Sequence, residues 1–437
     1  AAKKNSPLIV GIGSGANYLA SDIPALLKYT RDCAVMQDGE IAIVGKSSVE
    51  FFDSEGKPID KKLMHITWDA DSAEKGGYKH FMKKEIAEQP RAVRDTLSGR
   101  IVDGRVHLPE LSLGDEQIKN IGVVHIVACG SAWHVGMTAK YLIERSAGIL
   151  CECDLASEFR YRHPVVREND LCVVISQSGE TADTLAALRE AKNRGAHTVS
   201  IVNVVESTMA RESDDVIYTV AGPEIAVATT KAFSAQLAAV YLLALRLSSA
   251  VGRIDEKEEK HHCDALLRLP EQIEQVLENE ELFKPVAERF SKASSIFFIG
   301  RGLDYSISLE GSLKLKEISY IHSEAYAAGE SKHGPIALIS EQTPVIAIAT
   351  QSNIIGKTLS NISEVKSRGA KVVLMCSEDT VIKENVADYI IRIPQCDELL
   401  MPILAAVPLQ LIAYYTAILR GNDVDQPRNL AKSVTVE

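Results

Sequence analysis

The chain has 437 residues, 46% of them hydrophobic and 24% charged, which is typical of a soluble globular protein of two to four domains. Its formal net charge of −11 argues against nucleic acid as a partner, so a bound anion would need a local positive site. The eight cysteines form no CxxC pair, and no signal peptide is visible. We therefore expect reduced thiols in a cytoplasmic protein.

Two local patterns suggest other classes of protein, and neither is complete. Cys151–Cys153 and His261–Cys263 contain possible zinc ligands, but neither has a second half at zinc spacing, so we expect no metal and no cofactor. Residues Met401–Leu419 are apolar over the length of a membrane span, but they contain two prolines and a glutamine and lack flanking basic residues. We predict a buried core or interface helix there, and no membrane partner.

Residues 1–67 are predicted to be β-rich. Short apolar runs such as Cys33–Met36 and Ile41–Val44 are separated by turn signals. The chain begins with Ala1 and enters a strand pattern almost at once. We expect this segment to be the remainder of a larger domain rather than an independent one.

The next residues change in character twice. Residues 68–79 are polar and contain a pair of glycines, the composition of a linker. A helix is predicted near His80–Arg94, and it opens a first α/β domain that we place at 80–250. From Ile121 onward, apolar strand runs alternate with longer helical patterns, which indicates a parallel sheet covered by helices on both faces.

This α/β pattern occurs twice. Val124–Gly130 corresponds to Ile296–Gly302 with an offset of 172 residues, and two further pairs of strand runs give offsets of 173 and 174. Offsets that agree so closely indicate two lobes of one ancestral fold. We place the second lobe, with the C-terminal tail, at 251–437. The predicted fold class is α/β, with two tandem, doubly wound parallel-sheet lobes.

Hydroxyl groups follow the predicted strand Leu171–Ser176. Ser178 and Thr181 join Ser176 as donors, and Gly179 lets the backbone approach a ligand closely. The helix that follows presents free N–H groups and the positive end of its dipole. This arrangement predicts a site for a dianionic phosphate, at the carboxyl end of a parallel strand.

A plainer interpretation is that one of these hydroxyls merely caps the helix. Three hydroxyls and a glycine directly after a buried strand favour phosphate binding instead. The corresponding run of the second lobe, Ala349–Asn353, lacks the set, so we predict one phosphate site per chain.

The motif Ser176–Thr181 resembles the phosphate signature of the SIS, or sugar isomerase, family. Residues 224–233, 313–330 and 423–437 narrow the resemblance to the glucosamine-6-phosphate synthase family of isomerising glutamine–fructose-6-phosphate aminotransferases. Residues 1–67 resemble the last part of that family's glutaminase domain, which has an Ntn hydrolase-like fold. The resemblance implies conversion of fructose 6-phosphate to glucosamine 6-phosphate with ammonia from glutamine, the first step of hexosamine synthesis.

The resemblance implies four catalytic residues. Glu317 is the base that moves a proton between C1 and C2 of the sugar, and Lys314 supports it. His333 opens the sugar ring and comes from the neighbouring subunit, which would make a homodimer necessary for activity. Lys432 lies in a tail that folds over the sugar, where it meets the open-chain carbonyl and can form a Schiff base.

Each of these residues has a plainer interpretation from the sequence alone. Lys314 could form only a surface ion pair with Glu317 or Glu310 on one helix face. His333 lies in a glycine-flanked loop, where a lone histidine is more often structural. Lys432 could be a mobile surface lysine near the terminus, whereas the resemblance implies an ordered tail.

The resemblance also implies sugar-phosphate contacts from two strand ends, a later loop and the tail: Cys129, Gly130, Ser131, Ser176, Gln177, Ser178, Thr181, Val227, Thr229 and Ala431. Family members usually have Thr-Ser after Cys-Gly, whereas this chain has Ser131 and Ala132 there. One phosphate contact is therefore lost or replaced at Ala132. Thr229 stands where serine is common and keeps the hydroxyl.

The resemblance further indicates what this chain should not do. The family's glutaminase uses an N-terminal cysteine as nucleophile, Ala1 is not that residue, and Cys33 lies in an apolar strand pattern. We therefore expect that the chain does not hydrolyse glutamine. We expect it to isomerise fructose 6-phosphate to glucose 6-phosphate, and to form glucosamine 6-phosphate only when ammonia is supplied. Two alternatives stay open: a non-catalytic SIS regulator that binds sugar phosphates, and a related SIS deglycase or deaminating isomerase.

Overall fold

The computed structural model describes residues 1–4, 8–21, 25–26, 29–66 and 75–435. Most of the predicted linker 68–79 lies outside these residues. Its last part forms a turn, closed by a hydrogen bond of 2.9 Å from the Tyr78 amide to the Lys75 carbonyl. This turn leads directly into the first helix.

The N-terminal region contains two small antiparallel sheets. Its strands are β1 (Ile9–Ile12), β2 (Asn17–Ala20), β3 (Asp32–Val35), β4 (Ile41–Val44), β5 (Val49–Phe52), β6 (Pro58–Ile59) and β7 (Met64–His65). One sheet has the order β2-β1-β3-β7 and the other β4-β5-β6. The predicted β-rich character of this region is confirmed.

Two helices, a hairpin and a short helix precede the first parallel sheet: α1 (Phe81–Ala87), α2 (Gln89–Leu97), β8 (Ile101–Val102), β9 (Arg105–Val106) and α3 (Asp115–Lys119). The single helix predicted over His80–Arg94 is thus two helices. Pro90 lies in the first turn of α2. Because proline lacks an N–H and its ring clashes with the carbonyl four residues earlier, the first helix cannot continue through it.

The first lobe is a five-stranded parallel sheet of order β11-β10-β12-β13-β14 with flanking helices. Its elements are β10 (Val123–Ala128), α4 (Gly130–Ser146), β11 (Leu150–Leu155), α5 (Ala156–Phe159), β12 (Leu171–Ser176), α6 (Ala182–Asn193), β13 (His197–Val202), α7 (Thr208–Glu212), β14 (Asp215–Tyr218) and α8 (Lys231–Ala250).

The second lobe repeats this topology with the sheet order β16-β15-β17-β18-β19, which confirms the predicted internal repeat. Its elements are α9 (Glu256–Glu278), α10 (Lys284–Phe290), β15 (Ser295–Gly300), α11 (Leu303–Ser319), β16 (His322–Ala327), β17 (Pro344–Ala349), α12 (Ile355–Lys366), β18 (Lys371–Ser377), β19 (Tyr389–Ile393) and α13 (Met401–Leu419). Short 3-10 helices lie at Glu280–Phe283, Glu330–His333 and Pro335–Leu338.

The helices α8 and α13 form the centre of the molecule. Both are long and apolar enough to cross a membrane by length and composition, yet 89% and 83% of their apolar stretches are buried inside the protein. The core helix predicted at Met401–Leu419 is therefore present. Helix α11 packs against both α13 and α4, so the two lobes share one continuous core.

Candidate active site

The loop between β12 and α6 gathers the predicted phosphate hydroxyls. Ser176 Oγ accepts a hydrogen bond from the Gly179 amide and lies 3.1 Å from Thr181 Oγ1. Ser178 Oγ lies 3.0 Å from Ser433 Oγ in the tail. Thr181 is the N-cap of α6, but its side chain makes no cap hydrogen bond. The capping interpretation therefore fails for Thr181. Its hydroxyl pairs with that of Ser176, and the Ser178 hydroxyl meets the tail.

Gly179 gives this loop its shape. Its φ is +67°, in the left-handed region that side chains rarely adopt. A Cβ atom at this position would lie 2.1 Å from Ser207 Oγ, closer than any packing permits. Only glycine therefore lets the loop approach α7 while its hydroxyls converge.

Helix α11 carries a buried cluster of charges. Lys314 Nζ lies 2.6 Å from Glu317 Oε2 and 3.5 Å from Glu310 Oε1, and the lysine side chain is 1% exposed. Burial alone would lower the pKa of Lys314, but the two carboxylates outweigh burial and raise it, so the ammonium stays charged. The surface ion pair suggested by the sequence is therefore a buried one. The Glu317 side chain is 20% exposed, although its Oε2, the oxygen nearest Lys314, is buried.

Glu310 links this cluster to the first lobe. Its Oε1 accepts a hydrogen bond of 3.0 Å from Ser131 Oγ, and its Oε2 lies 2.8 Å from His134 Nδ1. Both partners lie in the first turns of α4. The Ser131 hydroxyl is thus engaged across the lobe interface, so it does not replace the hydroxyl missing at Ala132.

The neighbouring residues Cys129 and Gly130 form the turn from β10 into α4. Cys129 precedes the helix as its N-cap, and its Sγ accepts a hydrogen bond from Thr184 Oγ1 on α6 at 3.7 Å. Burial raises the pKa of the Cys129 thiol, so it is uncharged at neutral pH. This contact ties the end of β10 to the helix that bears the phosphate loop.

Lys432 contacts the loop before α8. Its Nζ lies 2.5 Å from Glu224 Oε2 and donates to the Ala226 carbonyl at 2.8 Å. Glu224 also accepts hydrogen bonds from the Thr229 hydroxyl and the Thr230 amide. Burial would raise the pKa of Glu224, but the Lys432 ammonium and these hydrogen bonds outweigh burial and lower it. Glu224 is therefore ionised. The hydroxyl expected at Thr229 is present and donates a hydrogen bond to Glu224.

The C-terminal tail, residues 423–435, folds back over the first lobe. The Val227 amide donates to the Asp425 carbonyl at 3.0 Å, and the Ala182 amide at the start of α6 donates to the Val434 carbonyl at 3.1 Å. The Arg428 guanidinium stacks over the ring of Tyr320 at 4.2 Å. Although the tail follows the second lobe in sequence, these contacts order it and place it at the phosphate loop.

The phosphate loop, the Glu224 loop and the tail enclose one small cavity. Its lining includes Gln177, Ser178, Glu224, Lys432 and Ser433. Residues of β1 and of the segment before it line the opposite wall. The exposed Ala431 lies just outside this lining.

Charge connects this cavity with the cluster on α11. The Glu224 carboxylate is one of the groups that raise the pKa of Lys314. Lys314 on α11 and Lys432 on the tail therefore both interact electrostatically with Glu224. The structure thus brings three of the four predicted catalytic residues to one region.

His333 is the predicted residue that the chain does not bring there. It is exposed and ends the 3-10 helix Glu330–His333, which follows the edge strand β16. Among the described residues, no hydrogen bond or ion pair joins it to Lys314, Glu317 or Lys432. Its contribution from a neighbouring subunit stays a prediction.

The sequence did not point to Glu85, a buried carboxylate on α1 that is 2% exposed. Its Oε1 accepts hydrogen bonds from the Ile225 and Ala226 amides at 2.5 and 3.2 Å. Burial raises the pKa of Glu85, and the Glu224 carboxylate raises it further, against smaller opposing effects from Lys432 on the tail and Lys231 on α8. A helical sequence pattern can indicate that the Glu85 side chain faces inward, but it does not indicate which loop this side chain contacts.

The raised pKa of Glu85 predicts a pH dependence of stability. The folded state binds the Glu85 proton more tightly than the unfolded state, so its contribution to stability falls as the pH rises above the ordinary value of 4.5 toward the raised pKa. Glu85→Gln cannot titrate. The free energy of unfolding of Glu85→Gln, relative to wild type, should therefore increase between pH 5 and pH 9 in urea titrations. A difference that stays constant over this range would contradict the prediction.

The structure also brings Asp397 to the pair His261 and His262. Asp397 Oδ2 lies 2.8 Å from His262 Nδ1 and 3.7 Å from His261 Nε2. Its Oδ1 accepts a hydrogen bond from the Leu399 amide at 2.9 Å. Both carboxylate oxygens are thus engaged within the protein, and His261 is 68% exposed. These contacts explain the cluster as hydrogen bonds around Asp397.

Comparison with known proteins first gives the class. The SIS domain family matches the chain twice, over residues 117–246 and 289–420. The solved C-terminal domain of glucosamine-fructose-6-phosphate aminotransferase from Francisella tularensis has a TM-score of 0.77 at 40% identity, covering 81% of this chain and 100% of that chain. Glucosamine-6-phosphate deaminase from Thermotoga maritima has a TM-score of 0.63 at 26% identity, covering 81% and 99%. The fold and the phosphate loop thus define a protein with two SIS domains.

Relatives along the whole chain narrow the class. The isomerising glutamine–fructose-6-phosphate aminotransferase of Caldanaerobacter subterraneus subsp. tengcongensis is 53% identical over 438 residues, which are 100% of this chain and 72% of that protein. That of Thermus thermophilus is 48% identical, with the same two coverages. The chain belongs to the family of isomerising glutamine–fructose-6-phosphate aminotransferases.

Proposed function

We propose that this chain isomerises fructose 6-phosphate to glucose 6-phosphate, and forms glucosamine 6-phosphate when ammonia is supplied. The observation that carries this proposal is the buried Lys314–Glu317 pair, which interacts electrostatically with Glu224. Glu224 in turn binds Lys432 and lines the same cavity as Ser178 of the hydroxyl-lined loop. Phosphate binding, proton transfer and carbonyl binding each have a matching group in one region. Membership of the aminotransferase family supports the same reaction.

The phosphate group would bind at the loop between β12 and α6. The hydroxyls of Ser176, Ser178 and Thr181 donate to its oxygens, and the N-terminus of α6 supplies a favourable dipole. Gln177 lines the adjacent cavity and can add an amide donor. No basic side chain is needed, because hydroxyl and amide donors at a helix N-terminus satisfy a dianion.

The proton transfer would use Glu317. In the conversion of a ketose to an aldose, its carboxylate takes a proton from C1 and returns it to C2. The Lys314 ammonium lies 2.6 Å from Glu317 and would stabilise the negative charge that develops on the sugar oxygens. The 20% exposure of Glu317 gives the substrate access to this base.

Two further groups would act on the sugar before proton transfer. His333 of a neighbouring subunit opens the ring, which makes the homodimer the active unit. Lys432 meets the open-chain carbonyl, and a Schiff base there requires Lys432 to lose its proton and leave Glu224. The remaining expected sugar-phosphate contacts are Cys129, Gly130, Val227 and Ala431.

We further propose that the β-rich region 1–67 is part of a glutaminase domain, that 68–79 is a linker, and that the lobes are 80–250 and 251–437. The presence of two antiparallel sheets, distinct from the parallel sheets of the lobes, supports this division. Cys33 is buried in β3, and burial together with Asp32 raises the pKa of its thiol. It is therefore unsuited to be a glutaminase nucleophile. A cytoplasmic location agrees with the eight free cysteines.

The proposal is tested by incubating the chain with fructose 6-phosphate and coupling glucose 6-phosphate to reduction of NADP⁺. We expect steady turnover that is proportional to protein concentration. A folded protein that binds fructose 6-phosphate in calorimetry without turning it over would contradict the proposal and favour the sugar-phosphate regulator. Release of ammonia from glucosamine 6-phosphate without isomerisation would favour a deaminating enzyme.

A further inference from the structure

Glu85 contacts the loop of residues 224–227, which also binds Lys432. It accepts hydrogen bonds from the amides of Ile225 and Ala226 through a single oxygen, Oε1. The carbonyl of that same Ala226 accepts a hydrogen bond from Lys432 Nζ, and the residue before Ile225 is Glu224, the partner of Lys432. The Glu85 carboxyl group thus binds the amides of the same short segment, Ile225–Ala226, whose carbonyl group binds Lys432.

The other oxygen of Glu85 has no such role. Glu85 Oε2 is buried and has no hydrogen-bond partner among the described residues. A buried carboxyl group with an unpartnered oxygen costs free energy, so stability alone does not account for its presence. An apolar side chain of similar size would fill the space without this cost.

Other contacts hold the two ends of the loop. At one end, the Glu224 carboxylate accepts hydrogen bonds from the Thr229 hydroxyl and from the amides of Thr230 and Ala232. Asp425 of the tail accepts hydrogen bonds from the amides of Phe81 and Met82 at the start of α1, and its carbonyl accepts one from Val227. Helix α1 is therefore the common support of both the tail and the loop. Glu85 is the α1 side chain that contacts the loop between Glu224 and Val227.

We propose that Glu85 is a positioning residue for Lys432: by holding the Ile225 and Ala226 amides, it fixes the Ala226 carbonyl and the Glu224 carboxylate against the Lys432 ammonium. This inference rests on the proposed role of Lys432 in binding the substrate carbonyl. Glu85 touches neither substrate nor reacting atoms, so its effect passes through the geometry of the loop. Acceptor oxygens, rather than negative charge, are what the two amides require.

Three variants separate this role from a merely structural one. Glu85→Gln keeps an acceptor oxygen, whereas Glu85→Met fills the same space without one. The matched control is Asp170→Leu, because Asp170 is also 2% exposed and accepts hydrogen bonds from two backbone amides, those of Val123 and Arg167. Asp170 directly precedes β12, whereas the phosphate loop follows that strand. The two therefore lie at opposite ends of β12.

The first measurement is independent of activity. Two amides report on the loop and the tail: the Thr230 amide donates to Glu224, and the Ala182 amide donates to the Val434 carbonyl. In Glu85→Met, hydrogen–deuterium exchange of the peptides that contain these amides should be at least about tenfold faster than in wild type. Glu85→Gln and Asp170→Leu should exchange like wild type there. Unchanged exchange of both peptides in Glu85→Met would overturn the inference, even if no form of the protein isomerised a sugar.

The second measurement is kinetic and applies once wild type shows turnover. Glu85→Met should lower kcat for fructose 6-phosphate by about 10- to 100-fold with KM changed less than about threefold, since a misplaced group costs rate more than binding. Glu85→Gln should restore kcat to within about threefold of wild type. If Glu85→Gln were as slow as Glu85→Met, acceptor geometry would not be the cause and the inference would fail. Absence of turnover in wild type would count against the proposed function alone.

Discussion

Glu317→Gln should lose nearly all isomerisation of fructose 6-phosphate, with kcat about 10² to 10⁴ times lower than wild type. Glutamine has nearly the same size and can keep a contact with Lys314, but it cannot accept the C1 proton. General bases contribute about this factor to enzymatic rates. The measurement is the coupled assay for glucose 6-phosphate, together with exchange of the C1 proton of the substrate with solvent deuterium.

Binding should distinguish a lost base from a damaged fold. Because Glu317 does not contact the phosphate loop, Glu317→Gln should bind fructose 6-phosphate within about threefold of wild type in calorimetry. A suitable control is Glu281→Gln, which removes the acid of another Lys–Glu pair spaced three residues apart, Glu281–Lys284, at the surface. Glu281→Gln should keep full activity. If Glu317→Gln retained even a tenth of the wild-type kcat, another group would have to be the base.

A mixture of two inactive variants should regain activity. Glu317→Gln and His333→Ala each disable both sites of a homodimer, if each site combines Glu317 of one chain with His333 of the other. In a mixed dimer, one site carries both substitutions and the other carries neither. Random reassembly makes half of the dimers mixed, so an equimolar mixture should reach about a quarter of wild-type activity. The measurement is the same coupled assay, after the variants are unfolded and refolded together.

The complementation experiment has an internal control. Mixing Glu317→Gln with Lys314→Met should restore nothing, because both residues lie on α11 of the same chain and serve the same site. Restoration by that pair would indicate exchange between chains that is unrelated to His333. Failure of the His333→Ala mixture, despite mixed dimers seen by native mass spectrometry, would show that His333 acts in its own chain.

The strands and helices of the lobes could be predicted closely from the sequence. The strand predicted at Leu171–Ser176 has these bounds in the structure, and the predicted helix follows it as α6. Central parallel strands are covered on both faces and therefore appear as continuous apolar runs. The break between α1 and α2 was missed, because helical periodicity continues across Pro90.

The site could be predicted only in part. The phosphate loop was visible because its hydroxyls are adjacent in sequence, and Lys314 and Glu317 share one helix face. Glu224 and Lys432, by contrast, are 208 residues apart and meet only when the tail folds back. Pairs of this kind depend on the packing of distant elements, which no local pattern encodes. The same reason hid the contacts of Glu85.

The identical strand order of the two lobes has a consequence for their history. Helices α4 and α11 are equivalent members of a duplicated unit, and they now face each other through Ser131 and Glu310. One lobe carries the hydroxyl-lined loop proposed to bind phosphate, and the other carries the charged helix with Lys314 and Glu317. The two lobes thus share one topology but carry different groups of the proposed site. A chain divided near residue 250 should therefore leave neither half able to turn over fructose 6-phosphate alone.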